Sequence, residues 1–150
     1  MRLAVYQPDI APNLGSMIRI CACFDVAMDI IEPCGFPLSI KTLRRAAMDY
    51  ANIADLTRHN SWQCFQTDRQ EGRLILLSTG AKTAISGFRF QPSDTLMMGR
   101  ETAGVPDDVE AACDARVKIP MPGGGRSLNV AVSAGIALFE ASRQIAEARG

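Results

Sequence analysis

Three short segments of the chain concentrate the glycine, proline and polar residues that a binding site needs. They are Gln7–Gly15, Gly99–Pro106 and Pro120–Asn129. Each follows an apolar run that the sequence predicts to be a strand, and open α/β sheets bind ligands at the edge where the strands end. Glycine permits positive φ angles and close approach of the backbone to a ligand. We therefore take these segments as candidate binding loops and call them the first, second and third loops.

Polar side chains in and beside these loops could hold an anion. Ser127 and Asn129 stand at a predicted helix start, where free backbone N–H groups favour anions or carboxylates. Arg19 lies one to two turns into the helix that follows the first loop. Its place beside Ile18 and Ile20 suggests an anion or carboxylate within reach, because arginine is seldom buried without a partner. An arginine on the solvent side of that helix fits the pattern equally well.

Several other kinds of site are excluded by what the motifs lack. The second loop reads G-x-E-x-x-G, with Glu101 where the dinucleotide fingerprint has glycine, and the third lacks the G-K-[ST] ending of a phosphate loop. A generic nucleotide-binding α/β protein therefore ranks lowest among the functional hypotheses. The five cysteines form no C-x-x-C pair, and His59 alone cannot complete a zinc site. We predict no metal, and cysteines that act as small buried hydrophobes in a reducing compartment.

Composition predicts one globular domain that spans residues 1–150. The chain is 47% apolar and 21% charged, which suits a packed core. No apolar run approaches the roughly 18 residues of a membrane helix, and Gln7, Pro8 and Asp9 interrupt any signal-peptide core. We therefore expect a cytoplasmic protein with no membrane partner.

The charges balance overall but are unevenly distributed. Sixteen basic and sixteen acidic residues give a formal net charge of zero, which argues against indiscriminate binding of nucleic acid. Four basic side chains nevertheless share one stretch with only two acids, Asp49 and Asp55. The four are Lys41, Arg44, Arg45 and Arg58. This asymmetry is compatible with a local anion-binding face and equally with a solvated helix surface.

Apolar periodicity predicts a mostly parallel sheet with helices on both faces. Six runs read as strands: Leu3–Tyr6, Asp29–Glu32, Ile53–Thr57, Arg73–Leu77, Thr95–Met98 and Ala115–Ile119. Five helices are predicted. Two begin after the capping residues Asn13 and Ser39, one begins at Pro106, and the other two cover Ser61–Asp68 and about Ser127 to Ala148. The last helix is unusually narrow, so another segment should approach its backbone closely. Its small residues are Ala131, Ser133, Ala134, Gly135 and Ala137.

The loops match a known family in order and spacing. The matching residues are Asn13-Leu-Gly15 with Arg19, Leu96-Met-Met-Gly-Arg-Glu-Thr-Ala-Gly-Val-Pro106, and Ile119-Pro-Met with Arg126-Ser-Leu-Asn129. They resemble the three motifs of the SPOUT RNA methyltransferases, and within these the subfamily that methylates the wobble nucleotide of tRNA. Ile31–Phe36, Leu43–Tyr50 and Thr57–His59 support the match. The resemblance covers essentially the whole chain and includes no additional RNA-binding domain.

The resemblance implies a deep trefoil knot at the C-terminal end, which would explain the narrow final helix. It implies a pocket for S-adenosylmethionine inside that knot and transfer of the methyl group to the ribose 2'-hydroxyl of nucleotide 34, a cytidine or modified uridine, in the tRNA anticodon loop. The pocket residues carried over by motif are Leu77, Gly99, Ile119 and Ser127, with Glu101 and Met121 nearby.

The resemblance also implies roles for single side chains. Arg19 is the candidate for helping the hydroxyl proton leave, but a guanidinium with a pKa above about 12 is a poor base, so we expect it to orient phosphate and hydroxyl. Asn13, Ser127 and Asn129 would form hydrogen bonds around the pocket. His59 is the conventional base by its pKa, yet its place after the third strand favours an RNA contact or a structural role.

Homodimers are usual in the family, and a short chain needs a second subunit to widen its RNA surface. The phosphate-contact candidates are Lys41, Arg44, Arg45, Arg58 and Arg126. Phe139 stands where some relatives have tyrosine, so a hydroxyl that could bond across the dimer is absent. Together with the neutral net charge, this leaves a second hypothesis, a knotted RNA-binding module without catalysis.

Overall fold

Strands and helices alternate along residues 1–52 and 54–150, which are the residues described by a computed structural model. The strands are β1 (Arg2–Tyr6), β2 (Ala27–Ile31), β3 (Leu56–His59), β4 (Leu74–Leu77), β5 (Thr83–Ala84), β6 (Thr95–Met98) and β7 (Ala115–Lys118). The helices are α1 (Ala11–Phe24), α2 (Ile40–Ala47), α3 (Trp62–Asp68), α4 (Asp107–Ala111) and α5 (Val130–Arg149). Short 3₁₀ turns cover Met48–Asn52 and Ile85–Gly87.

All seven strands pair in parallel within one sheet, in the order β3-β2-β1-β6-β4-β7-β5 among the described residues. This confirms the predicted parallel sheet. Strand β6 lies between β1 and β4, so the order of the sheet switches at its centre. The ends of β1, β6, β4 and β7 therefore stand side by side, and the three candidate loops leave from three of them.

Alternating side chains of the central strands build a core on each face of the sheet. Leu3 and Val5 belong to the core formed with α1 and α5, whereas Ala4 and Tyr6 belong to the core formed with α3 and α4. The predicted placement of helices on both faces is thus confirmed. None of the helices in the described residues combines the length and hydrophobicity of a membrane span.

The narrow face of α5 packs against α1. Ala134, Ala137 and Ala141 are fully buried, and a Cβ added to Gly135 would lie 3.5 Å from Cδ1 of Ile20. The close approach expected from the small residues is therefore made by α1. Passage of this segment through a knot stays a prediction.

Two predicted helix starts are wrong. α1 begins at Ala11 with Ile10 as its cap, because Pro12 suits the first helical turn, and Asn13 therefore lies inside the helix. α5 begins at Val130 with Asn129 as its cap, so Ser127 precedes the helix. The caps Ser39 and Ser61 are confirmed, since their hydroxyls accept hydrogen bonds of 3.1 Å from the N–H groups of Thr42 and Cys64.

The strands also differ from the prediction in two places. The third begins at Leu56, later than expected, and Ile53 lies outside the described residues. Strand β5 was not predicted, because two residues are too short to show a period.

The cysteines are less uniformly buried than expected. All five are free thiols; Cys21 is buried, whereas Cys23 and Cys64 are exposed. Burial raises the pKa of Cys21 to about 12. The interpretation as small core residues is therefore right for Cys21 and wrong for the two exposed positions, which lie on outward faces of their helices.

Gly15 sets the distance between α1 and α2. A Cβ at this position would lie 2.1 Å from the carbonyl oxygen of Ala46. Gly15→Ala should lower the free energy of unfolding by about 1–3 kcal/mol through overpacking, although alanine favours a helix by about 1 kcal/mol over glycine. Gly87→Ala is the control, because its Cβ meets nothing within 4 Å. Equal urea midpoints for the two variants would contradict the prediction.

Candidate active site

A cavity of about 770 Å³ opens where β4, β6 and β7 end. Its wall takes residues from all three candidate loops, as the position of those loops after parallel strands predicts. The six positions expected to bind the cofactor all lie on this wall. They are Leu77, Gly99, Glu101, Ile119, Met121 and Ser127.

The second loop closes on itself at the cavity wall. Arg100 N–H donates to the Gly104 carbonyl at 2.9 Å, and Gly104 N–H donates to the Arg100 carbonyl at 3.1 Å. A Cβ at Gly99 would lie 2.9 Å from backbone atoms of Gly104, whose φ is +61°. Both glycines are therefore needed for a turn this tight, and the turn presents backbone to the cavity.

Three side chains link the three loops, and we call them the Glu101–Asn13–Asn129 chain. The Glu101 carboxylate accepts hydrogen bonds from the Asp9 N–H at 2.8 Å and from Asn13 Nδ2 at 3.5 Å. Asn129 Nδ2 donates to Asn13 Oδ1 at 3.0 Å. Asn13 was expected to cap α1 and to bond around the pocket. It does not cap the helix; its side chain lies on the cavity wall and bonds to the second and third loops.

Asn129 also caps α5. Its Oδ1 accepts hydrogen bonds from the Ala131 and Val132 N–H groups at 2.9 and 3.2 Å. The amide therefore uses its oxygen for the helix and its nitrogen for Asn13. Ser127, two residues earlier, is exposed on the cavity wall beside Arg126.

Ser78, Thr79 and Arg100 are among the wall residues that sequence reasoning did not select as site residues. Ser78 and Thr79 follow β4 directly and line the cavity, so the rule that selected the other loops would have found them. Arg100 also lines it, and its guanidinium lies 5.3 Å from the Tyr6 ring centroid and donates to Gln7 Oε1. Arg100 follows Gly99 in the second loop, and no local sequence pattern indicates its aromatic partner.

Arg19 does not reach the cavity of its own chain. It lies six residues after Asn13, which on a helix is a rotation of roughly 120° and a rise of roughly 9 Å. Asn13 faces α5, and Arg19 is exposed with its guanidinium 4.9 Å from the Tyr50 ring centroid. Of the two alternatives for Arg19, the exposed side chain fits a place on the solvent side of the helix, and the contact among the described residues is an aromatic ring rather than a carboxylate.

The basic residues around α2 fall into two groups. Lys41, Arg44 and Arg45 are exposed on α2, as a phosphate-binding surface requires. Arg58 is held by Glu32 through two hydrogen bonds of 2.9 and 3.2 Å, and these raise its pKa. Its charge is therefore already balanced.

His59 is buried rather than presented to RNA. It is 4% exposed, and its Nε2 lies 2.8 Å from Asp29 Oδ1. Arg2 holds the same carboxylate at 2.7 and 3.1 Å, and this hydrogen bonding raises the pKa of Arg2. The predicted contact between His59 and RNA is therefore wrong. The alternative, a structural role, fits the position of His59, because the buried Asp29 carboxylate needs hydrogen-bond partners.

Cys34 lies next to Gly35, which packs against Asp9 of the first loop. Burial first, and then the charge of Glu32, raise the pKa of its thiol to about 11. The thiol therefore stays protonated near neutral pH and is a poor nucleophile.

In residues 1–52 and 54–150, no group of three His, Cys, Asp or Glu side chains is arranged to hold a metal ion.

The chain is similar to known RNA-modifying proteins over nearly its whole length. A model of the SpoU rRNA Methylase family matches residues 1–139. The chain is 52% identical over 145 residues to a tRNA (cytidine(34)-2'-O)-methyltransferase of Beijerinckia indica, which covers 95% of this chain and 91% of that protein.

Solved structures share the architecture. One described as "Structural insights into the 2-OH methylation of C/U34 on tRNA" superposes with a TM-score of 0.87 at 39% identity, covering 95% of this chain and 89% of that one. An AdoMet-bound rRNA methyltransferase from Sinorhizobium meliloti gives a TM-score of 0.83 at 25% identity, covering 95% of this chain and 55% of that one.

Proposed function

This chain belongs to the SpoU rRNA methylase family, and on that premise we propose that it transfers the methyl group of S-adenosylmethionine to the ribose 2'-hydroxyl of nucleotide 34 of a tRNA. The observation that carries the proposal is one cavity wall containing all six positions expected to bind the cofactor. Relatives named for this tRNA reaction favour an enzyme over an RNA-binding module without catalysis. A tRNA substrate implies a cytoplasmic protein, and we treat residues 1–150 as its single catalytic domain.

The cavity fits S-adenosylmethionine in size and chemistry. Its volume lies within the roughly 300–1,000 Å³ of small-molecule sites. Leu77, Ile119 and Met121 supply apolar surface, and the missing side chain of Gly99 leaves backbone within reach of a ligand. When bound, the cofactor supplies a methyl group already activated by a positively charged sulfur.

The protein mainly has to align the 2'-hydroxyl with that methyl group and let its proton leave. Bound S-adenosylmethionine would supply this methyl group and be left as S-adenosylhomocysteine, and the 2'-hydroxyl would give its proton to solvent. Glu101 is held by Asp9 and Asn13, so we assign its carboxylate to loop positioning rather than to proton removal. Ser127 is exposed on the wall and free to face the ligand. Arg19 remains the candidate to bind the adjacent phosphate and orient the hydroxyl.

A second copy of the chain can bring Arg19 to a cavity. α5 exposes an apolar face on which Val132, Ile136 and Phe139 follow i, i+4, i+7 spacing and are 51%, 38% and 60% exposed. Leu128, just before the helix, is 41% exposed and extends this face. Exposed apolar faces of this kind mark interaction surfaces. We infer a homodimer through this face, in which Arg19 of each copy faces the cavity of the other. Phe139 then contributes apolar contact where tyrosine would add a hydroxyl.

The tRNA surface in this proposal is α2 together with the cavity mouth. Lys41, Arg44 and Arg45 are exposed on α2, and Arg126 is exposed at the wall. α2 packs on the side of α1 away from Asn13, so in the dimer its three cations would lie near the cavity of the other copy. Phosphate contacts there would hold the anticodon loop while nucleotide 34 enters the cavity.

Methyl transfer can be measured with methyl-labelled S-adenosylmethionine and tRNA. We expect label on the 2'-oxygen of nucleotide 34, read by nuclease digestion and mass spectrometry. The control is the same tRNA with 2'-deoxyribose at position 34, which should accept none because the attacking oxygen is missing. Cofactor binding by calorimetry without any ribose labelling would instead support the RNA-binding module.

Arg19→Ala should reduce turnover by roughly 10²–10⁴-fold and leave cofactor affinity unchanged, because Arg19 is off the cavity wall. Gly99→Ala should lose cofactor affinity, because its Cβ would meet Gly104 backbone at 2.9 Å. If Arg19 acts across the dimer, mixing the two inactive variants forms heterodimers with one intact site and restores part of the activity. Mixtures as inactive as the separate variants would contradict the shared site.

Replacing Arg44 and Arg45 together by alanine should weaken tRNA binding. The slope of log K against log salt should become shallower by about 1.4–1.8, since two phosphate contacts are lost. The matched control is the double change Arg143→Ala, Arg149→Ala at the end of α5, where Arg143 pairs with Glu140 and Glu147. A slope that changes equally in both double variants would place the RNA surface elsewhere.

A further inference from the structure

We propose that Tyr50 is a positioning residue for Arg19: its ring fixes the guanidinium in the orientation in which it meets the tRNA backbone. The inference rests on the proposed function, because it assigns Tyr50 an effect on methyl transfer through Arg19. Tyr50 follows α2 and is half-buried, whereas Arg19 is exposed on α1. The guanidinium carbon lies 4.9 Å from the ring centroid.

The ring contact orders Arg19 without neutralising its charge. Carboxylates hold Arg2, Arg58 and Arg73 through two hydrogen bonds each, and these bonds occupy donors on the guanidinium edge. A guanidinium over an aromatic ring is held without a carboxylate that occupies its N–H donors. Arg19 has such a ring contact and no ion pair among the residues that the structure describes. An arginine held in this way keeps both its charge and its donors for a phosphate.

The backbone places Tyr50 over α1 by a specific path. α2 ends at Ala47, and Met48 takes a left-handed φ of +54°, which directs the turn Met48–Asn52 back toward α1. The absence of a side chain at Gly15 lets the Ala46 carbonyl approach α1, because a Cβ on residue 15 would lie 2.1 Å from that carbonyl oxygen. The contact between α1 and α2 therefore brings the ring to Arg19, one turn after Gly15 on the same side of α1.

The test combines changes at both positions in the full chain. Tyr50→Phe keeps the ring and should retain kcat within about twofold, whereas Tyr50→Leu should lower kcat roughly 10- to 100-fold, as misplacement of a positioning group does. The cofactor dissociation constant should not change in either variant. In an Arg19→Ala background, Tyr50→Leu should cause no further loss, because the group it positions is gone. Tyr50→Met repeats the test if the leucine variant does not fold.

Three outcomes would overturn the inference while leaving methyl transfer intact. They are equal losses from Tyr50→Leu in the two backgrounds, full activity of both Tyr50→Leu and Tyr50→Met, and full activity of Arg19→Ala. Failure of the proposed function is recognised separately, because the unaltered protein would then transfer no methyl group to nucleotide 34, and this result overturns the inference as well.

Discussion

The bonding of one carboxylate holds the candidate active site together. Glu101 accepts hydrogen bonds from the backbone of the first loop and from Asn13, and Asn13 in turn accepts one from Asn129 at the start of α5. Hydrogen bonds to an ionised acceptor are about twice as strong as those between neutral groups. The three loops belong to distant parts of the sequence. This link, together with the hydrogen bonds from Thr102 to Asp9 and from Arg100 to Gln7, holds their relative positions and with them the shape of the cavity.

α1 separates the two tasks that the proposed reaction requires. The side that faces α5 carries Asn13 and contributes to the cavity wall, whereas the side that faces α2 carries Arg19 and approaches Tyr50. Gly15 allows α2 to pack closely on that second side. A small ligand can thus be enclosed at the end of the sheet, and a large polyanion can be held on the outer side of the same helix. Bringing the two sides to one reacting group then requires a second copy.

The sequence predicts the cavity wall better than the hydrogen bonds behind it. Apolar runs locate strand ends, and in a parallel sheet those ends determine which loops meet, so the loops around the cavity could be placed from pattern, whereas the resemblance to the family supplied Leu77 and Ile119. The partners of Asn13, Arg19 and His59 come from residues distant in sequence, and no local period carries that information. A helix cap at Asn13, an anion or carboxylate beside Arg19 and an RNA contact at His59 were among the expectations. The structure has a link between loops, an aromatic contact and a buried hydrogen bond to Asp29 at these positions.

The net charge of zero conceals a basic surface. Carboxylates pair with Arg2, Arg58, Arg73, Arg116 and Arg143 in the structure. Such pairs cancel within a few ångströms and contribute little field beyond the Debye length of about 8 Å at physiological salt. Lys41, Arg44 and Arg45 enter no ion pair in the described part of the chain, so the field near α2 remains positive. A phosphate backbone responds to this local field rather than to the sum over the chain, and a neutral protein can for that reason bind tRNA on one face.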